Sequence, residues 1–237
     1  MCGRFSLGAT LRVAQVFDVP NWPDMPPRYN IAPGQDIATV THNRETAGRE
    51  FRPLRWGLVP FWAKEGSIGN RLINARAETL ATKPAFRKPF RERRCLVPAD
   101  GFYEWERQGR RKQPWHICLR DARPFAFAGL WDRWQPAEGA PVETVTIVTT
   151  APNALVGRIH DRMPAILPSA EYGLWLDPAV QDVERLQALL RPYPEDEMQA
   201  YPVGTQVNNP ANDFPDMIAP LAADRTLPFS IESGGAN

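Results

Sequence analysis

The sequence predicts an α+β protein of a single domain, with a curved, barrel-like and mainly antiparallel sheet and short flanking helices. Proline supplies 25 of 237 residues, roughly twice average usage, and so many locked positions favour short strands and short helices over a bundle. Short β-branched and aromatic runs recur along most of the chain. Helical pieces fall between them without the regular βαβ rhythm of a parallel sheet.

The elements follow in order. Residues 11–17 read as a short helix ended by Pro20, and four prolines make 21–33 irregular. Strands at 37–41 and 51–56 flank a polar turn, which suggests a hairpin. The run Trp56-Gly-Leu-Val-Pro-Phe-Trp62 is too aromatic and too broken for an amphipathic element and reads as a shaped loop. A short helix is expected to begin at Asn74 and end before Pro84. Alternation predicts strands at 95–98, 101–106, 115–119, 125–131 and 144–149. Helices are expected from Pro152 to about Ile159, at 170–176 and at 182–190, then a strand near 199–203. The domain is expected over 2–223, and the polar end 224–237 reads as a frayed tail.

No stretch reaches the 18 apolar residues of a membrane span, and no secretory signal opens the chain, so a cytoplasmic protein is expected. Formal net charge is +1, but residues 1–120 carry 21 Lys and Arg against 11 Asp and Glu, and the remainder 7 against 16. The basic residues are 24 Arg to 4 Lys, a planar fork of donors suited to phosphate. Either the N-terminal half grips a phosphate-bearing partner, or the two halves neutralise each other across the fold.

Cys2, Cys95 and Cys118 show no CxxC spacing, so neither a disulfide framework nor a metal site is indicated. Cys95 and Cys118 lie in apolar strand-like runs and read as buried inert thiols. Cys2 is different. Removal of Met1 would leave a 1,2-aminothiol whose amine and thiol, with reference pKa values near ~7.7–8.0 and ~8.5, both hold a reactive fraction at neutral pH. Such a pair condenses with an aldehyde, first to an imine and then to a thiazolidine, and the open-chain form of a baseless deoxyribose carries an aldehyde. The same group could serve as an N-terminal amidohydrolase nucleophile, its amine acting as base. Arg4, two residues away, leans towards phosphate and hence DNA.

Proton transfer needs a partner, and in Asp100-Gly-Phe-Tyr-Glu104-Trp105-Glu106 a carboxylate flanked by Tyr and Trp can be desolvated and drawn towards neutral pKa. His160, expected at a helix-to-loop junction beside Asp161 and Arg162, could protonate a sugar oxygen. Asn74 reads as a helix cap or as an amide orienting the amine or sugar, with Arg76 meeting phosphate.

Met-Cys-Gly-Arg-Phe, Arg28-Tyr-Asn-Ile-Ala-Pro33, Trp56-Gly-Leu-Val-Pro60, Asn74-Ala-Arg-Ala-Glu78, Cys95-Leu-Val-Pro-Ala-Asp-Gly-Phe-Tyr-Glu-Trp105, Phe127-Ala-Gly-Leu-Trp131 and His160-Asp-Arg-Met-Pro164 together closely resemble the SRAP family of abasic site processing proteins. The resemblance spans nearly the whole chain. It implies crosslinking of Cys2 to abasic sites in single-stranded DNA, with Asn74, Glu104 and His160 as the other active-site positions. Arg4, Arg76 and Arg162 match the phosphate-binding arginines, and the segment holding Trp56 and Trp62 matches a wedge that stacks on bases. It further implies shielding of the lesion, crosslink reversal, AP-lyase and peptidase activities, SOS-type damage responses and replication-fork association. A monomer without cofactor or metal is expected, its Met1 removed autocatalytically or by an aminopeptidase.

Overall fold

The computed structural model describes residues 2–8, 10–20, 22–43 and 45–221. Five strands form a closed ring: β3 (Asp36–His42), β4 (Arg49–Trp56), β6 (Arg94–Ala99), β9 (Phe125–Trp134) and β10 (Val142–Thr150). β10 pairs with β4, β4 with β3, β3 with β6, β6 with β9, and β9 returns to β10. Only the β10–β4 pair of this ring is parallel. Closure removes the sheet edges that water or another chain would otherwise have to satisfy. The expected curved, mainly antiparallel sheet is therefore present as a barrel.

Both faces of its strands carry buried apolar residues, among them Val40, Leu54, Leu96, Val97, Phe127, Leu130, Val145 and Ile147. Two short strands, β11 (Met163–Pro164) and β12 (Ile166–Leu167), pair with β10 and β9. A second sheet packs beside the barrel in the order β13-β8-β7-β1-β2. Its strands are β1 (Phe5–Leu7), β2 (Arg28–Ile31), β7 (Gly101–Gln108), β8 (Arg111–Leu119) and β13 (Met198–Pro202). Phe5 joins the two layers through edge-on contacts with Trp56 and Phe127. The flanking helices are short: α1 (Thr10–Phe17), α2 (Arg87–Glu92), α3 (Ala154–Gly157), α4 (Tyr172–Leu176) and α5 (Val183–Gln187).

Two expectations need correction. The segment opening at Asn74 is not a helix. Asn74–Arg76 is a strand, β5, lying parallel to β10 with Asn74 opposite Ile147 and Arg76 opposite Thr149, and only Ala77–Thr79 makes a 3-10 turn. Its alanines favour a helix locally, but ladder bonds to a buried central strand outweigh a propensity worth a few tenths of a kcal/mol. Second, the strands expected at 101–106 and 115–119 are longer, spanning Gly101–Gln108 and Arg111–Leu119. β7 and β8 stay paired to their ends, with Arg107 opposite Lys112 and Gln108 opposite Arg111. α3 and α5 also end earlier than expected; at their starts the N-cap side chains accept, Asn153 from Val156 N–H and Asp182 from Glu184 and Arg185 N–H. The expected tail 224–237 lies outside the described residues.

Candidate active site

Cys2 enters the fold just before β1. Phe5 lies opposite Phe102, Ser6 opposite Gly101, and Tyr103 N–H donates to Arg4 O at 3.0 Å. Glu104 and Cys2 are close enough for the carboxylate charge to act on the thiol. Glu104 is only 2 % exposed. Burial pushes its carboxyl up to about 7, against the pull of nearby positive charge, so both protonation states are accessible at neutral pH.

In the chain that carries Met1, Cys2 is fully buried, and burial, aided by the negative charge of Glu104, pushes its thiol far above the ordinary range, which disfavours thiolate there. The expected reactive thiol belongs to the chain without Met1. Cys95 and Cys118 are buried as expected, and burial pushes both thiols up.

His160 follows α3, its N–H donating to Val156 O at 2.9 Å. Its Nε2 lies 3.9 Å from Glu104 Oε2, and its Nδ1 accepts from Arg162 N–H at 3.1 Å. Burial lowers the imidazole pKa, while Asp161, its Oδ1 3.0 Å from Nδ1, opposes the shift. Asn74 does not cap a helix. Its amide donates weakly to Ile147 O at 3.4 Å, and its buried Oδ1 has no protein partner. An acceptor left in that state is suited to a donor brought by a ligand.

The three candidate arginines are held differently. Arg76 is exposed, at the end of β5 opposite Thr149. Arg162 is braced by both oxygens of Glu78, at 2.7 and 3.0 Å, and by Thr149 O at 2.7 Å. Glu78, whose carboxyl is held low chiefly by Arg162, was missed by sequence reasoning, although it closes the Asn74–Glu78 motif. Arg4 turns inward, donating to Asn30 Oδ1 at 2.7 Å and Val207 O at 2.6 Å, with Trp105 beneath it.

The aromatic candidates also divide. Trp56 is 1 % exposed and its indole N–H bonds Ile73 O at 2.9 Å, so it is a core residue and cannot stack on a base. Phe61 and Trp62, 51 % and 48 % exposed, are the ones presented to solvent. Their loop is fixed by Val59 N–H to Thr144 Oγ1, Phe61 N–H to Asp132 Oδ2 and Trp134 N–H to Ala63 O, at 2.7–2.9 Å. Asp132, itself buried and paired with Arg93, is a support that periodicity along β9 does not reveal.

A family model for SOS response associated peptidase (SRAP) matches residues 1–210. The chain belongs to the SRAP family. This SRAP chain is 45% identical over 223 residues to the abasic site processing protein YoqW of Bacillus subtilis (strain 168), covering 92% of this chain and 99% of that one. It is 34% identical over 206 residues to the abasic site processing protein HMCES of Gallus gallus, covering 77% and 61% respectively. A crystal structure of a protein from Bacteroides thetaiotaomicron has the same fold, with a TM-score of 0.82 at 30% identity over 93% of this chain and 100% of that one.

Proposed function

We propose that this SRAP protein captures abasic sites in single-stranded DNA covalently, through the α-amine and thiol of Cys2 once Met1 has been removed. The observation that carries the reading is Cys2 beside a buried carboxyl poised at about 7 that is itself faced by His160. The amine attacks the aldehyde carbon of the opened deoxyribose, giving a carbinolamine. Protonated Glu104 gives its proton to the departing hydroxyl, water leaves, and an iminium remains. Glu104, now ionised, takes the proton of the buried thiol, and sulfur closes the five-membered ring. Aldehyde and aminothiol thus yield thiazolidine and one water, with no change of oxidation state. Consuming the aldehyde removes the electron sink that drives strand cleavage by β-elimination, which accounts for shielding. The same proton movements in reverse would release the lesion. His160 gives a proton to the ring oxygen as the sugar opens.

Arg76 meets a flanking phosphate directly, and Arg162 joins it by exchanging part of its contact with Glu78 for phosphate. Phosphate contacts carry no base identity, so binding is salt-sensitive and nearly sequence-independent. Phe61 and Trp62 stack on exposed bases beside the gap. Replacing Trp62 by Ala is expected to raise the Kd for single-stranded DNA roughly tenfold, the lower part of the ~1–3 kcal/mol range for one base stack. Fluorescence anisotropy reads this, and the melting temperature stays put. Truncating Trp56 instead would lower the melting temperature, as loss of a core side chain must.

The decisive measurement is the intact mass of Met1-free protein incubated with an oligonucleotide holding one abasic site. The expected product has the summed mass less one water and survives denaturation, and Cys2→Ala forms none. An equally stable adduct with Cys2→Ala would end the aminothiol mechanism. Turnover of peptides by Cys2 without DNA would favour the amidohydrolase alternative.

A further inference from the structure

β7 carries Glu104 into the site and then runs on. Its partner β1 has ended by then, its last ladder pair with β7 being Phe5 opposite Phe102. From Glu106 onward β7 is paired with β8 alone, through Gln108 opposite Arg111, and turns at Gly109 with φ of 63°. A two-stranded arm therefore projects past Glu104. Arg107, Arg110, Arg111 and Lys112, all exposed, sit on its end.

The arm's charge is not spent within the protein. Elsewhere the basic and acidic halves do meet across the fold, in Arg28–Asp213, Arg52–Glu143 and Arg93–Asp132. Among the described residues none of the arm's four cations has an ion-pair or hydrogen-bonding side-chain partner. The nearest carboxylate along the strand, Glu106, accepts instead from Trp115 Nε1 at 3.0 Å and Gln108 Nε2 at 2.9 Å, both neutral donors. Four like charges at one hairpin tip repel one another, a cost that a polyanion laid along them would reverse. The arm begins about 10 Å beyond Glu104, at three residues of strand rise.

We propose that this arm is a second phosphate-binding surface, which engages the captured strand on one side of the lesion a few nucleotides away. It rests on the reading of the site as an abasic-site trap. Its position beyond Glu104, on one side of the site, makes it directional: extension of the DNA on one side reaches it, and extension on the other does not.

The test uses the Met1-free full chain and the variant Arg110→Gln/Arg111→Gln, whose altered residues are exposed and leave Gly109 in place. Abasic oligonucleotides carry short arms, a long 5′ arm or a long 3′ arm. Wild type is expected to capture one of the long-armed substrates several-fold faster than the short one at low salt, and the variant to lose that gain while matching wild type on the short substrate. Binding of an intact long single strand should show the salt slope of the variant reduced by about 1.4, at about 0.7 for each phosphate that is no longer neutralised. An unchanged gain with an unchanged salt slope overturns the arm. Equal slowing on all three substrates overturns it as well, since general charge loss then suffices. Failure of wild type to form a Cys2-dependent adduct with any substrate would remove the trap instead, and the salt slope on intact DNA would still decide whether the arm binds phosphate.

Discussion

Glu104→Gln is expected to slow adduct formation by about 100-fold, the lower end of what a positioned general acid-base group supplies. The change keeps shape and burial but removes the transferable proton. In wild type the rate requires a neutral α-amine, whose fraction rises up to ~8, and a protonated Glu104, whose fraction falls above about 7. The product of these fractions is a bell with its top between those values. In Glu104→Gln the high-pH fall disappears, and a slow rate climbs with pH as the amine loses its proton. Quenched-flow or gel assays of adduct against pH provide the check. A falling limb that persists unchanged in the variant would assign it to another group and take Glu104 out of the mechanism.

Gly101→Ala is expected to cost about 3–5 kcal/mol of stability, as overpacking combined with broken buried hydrogen bonds. A Cβ at Gly101 would lie 2.2 Å from His116 Nε2 and 2.3 Å from its Cε1. The ring has nowhere to go. His116 Nε2–H donates to Ser6 Oγ and its Nδ1 accepts from Tyr201 O–H, both at 3.0 Å, while Ser6 O–H donates to Asp100 Oδ1 at 2.6 Å. Burial holds the imidazole neutral, its pKa pushed down to about 3. For a domain of this size the loss corresponds to roughly 10 °C in Tm. The double variant with His116→Ala should cost less than the two single changes summed, because one of them relieves the other. Additive costs, or a Tm within a degree or two of wild type, would show that the ring is not what excludes a side chain there.

The legible and the hidden parts divide by range. β3, β4, β6, β9 and β10 could be read from alternation, since residues two apart share a face and the buried face must be apolar. The lift of Glu104 towards neutrality was readable from its place between Tyr103 and Trp105 on a strand. Asn74–Arg76 was misread because alanine propensity is local while its parallel pairing with β10 joins residues over seventy positions apart. Trp56 and Trp62 look alike in sequence, six residues apart in one aromatic loop. Only packing shows one indole against Phe5 and the other in solvent.

Chemistry confined to single residues and their near neighbours was set by the sequence alone: an aminothiol latent at Cys2, strand periodicity, a surplus of arginine in the first half, and motifs dense enough to show kinship. What the folded chain decided is which of these groups can act. It buried the Cys2 sulfur beside Glu104, turned Arg4 inward, tied Arg162 to Glu78 and left Arg76 and the β7–β8 arm facing water. The reason is that desolvation and charge pairing depend on neighbours across the fold, and no spacing along the chain records who those neighbours are.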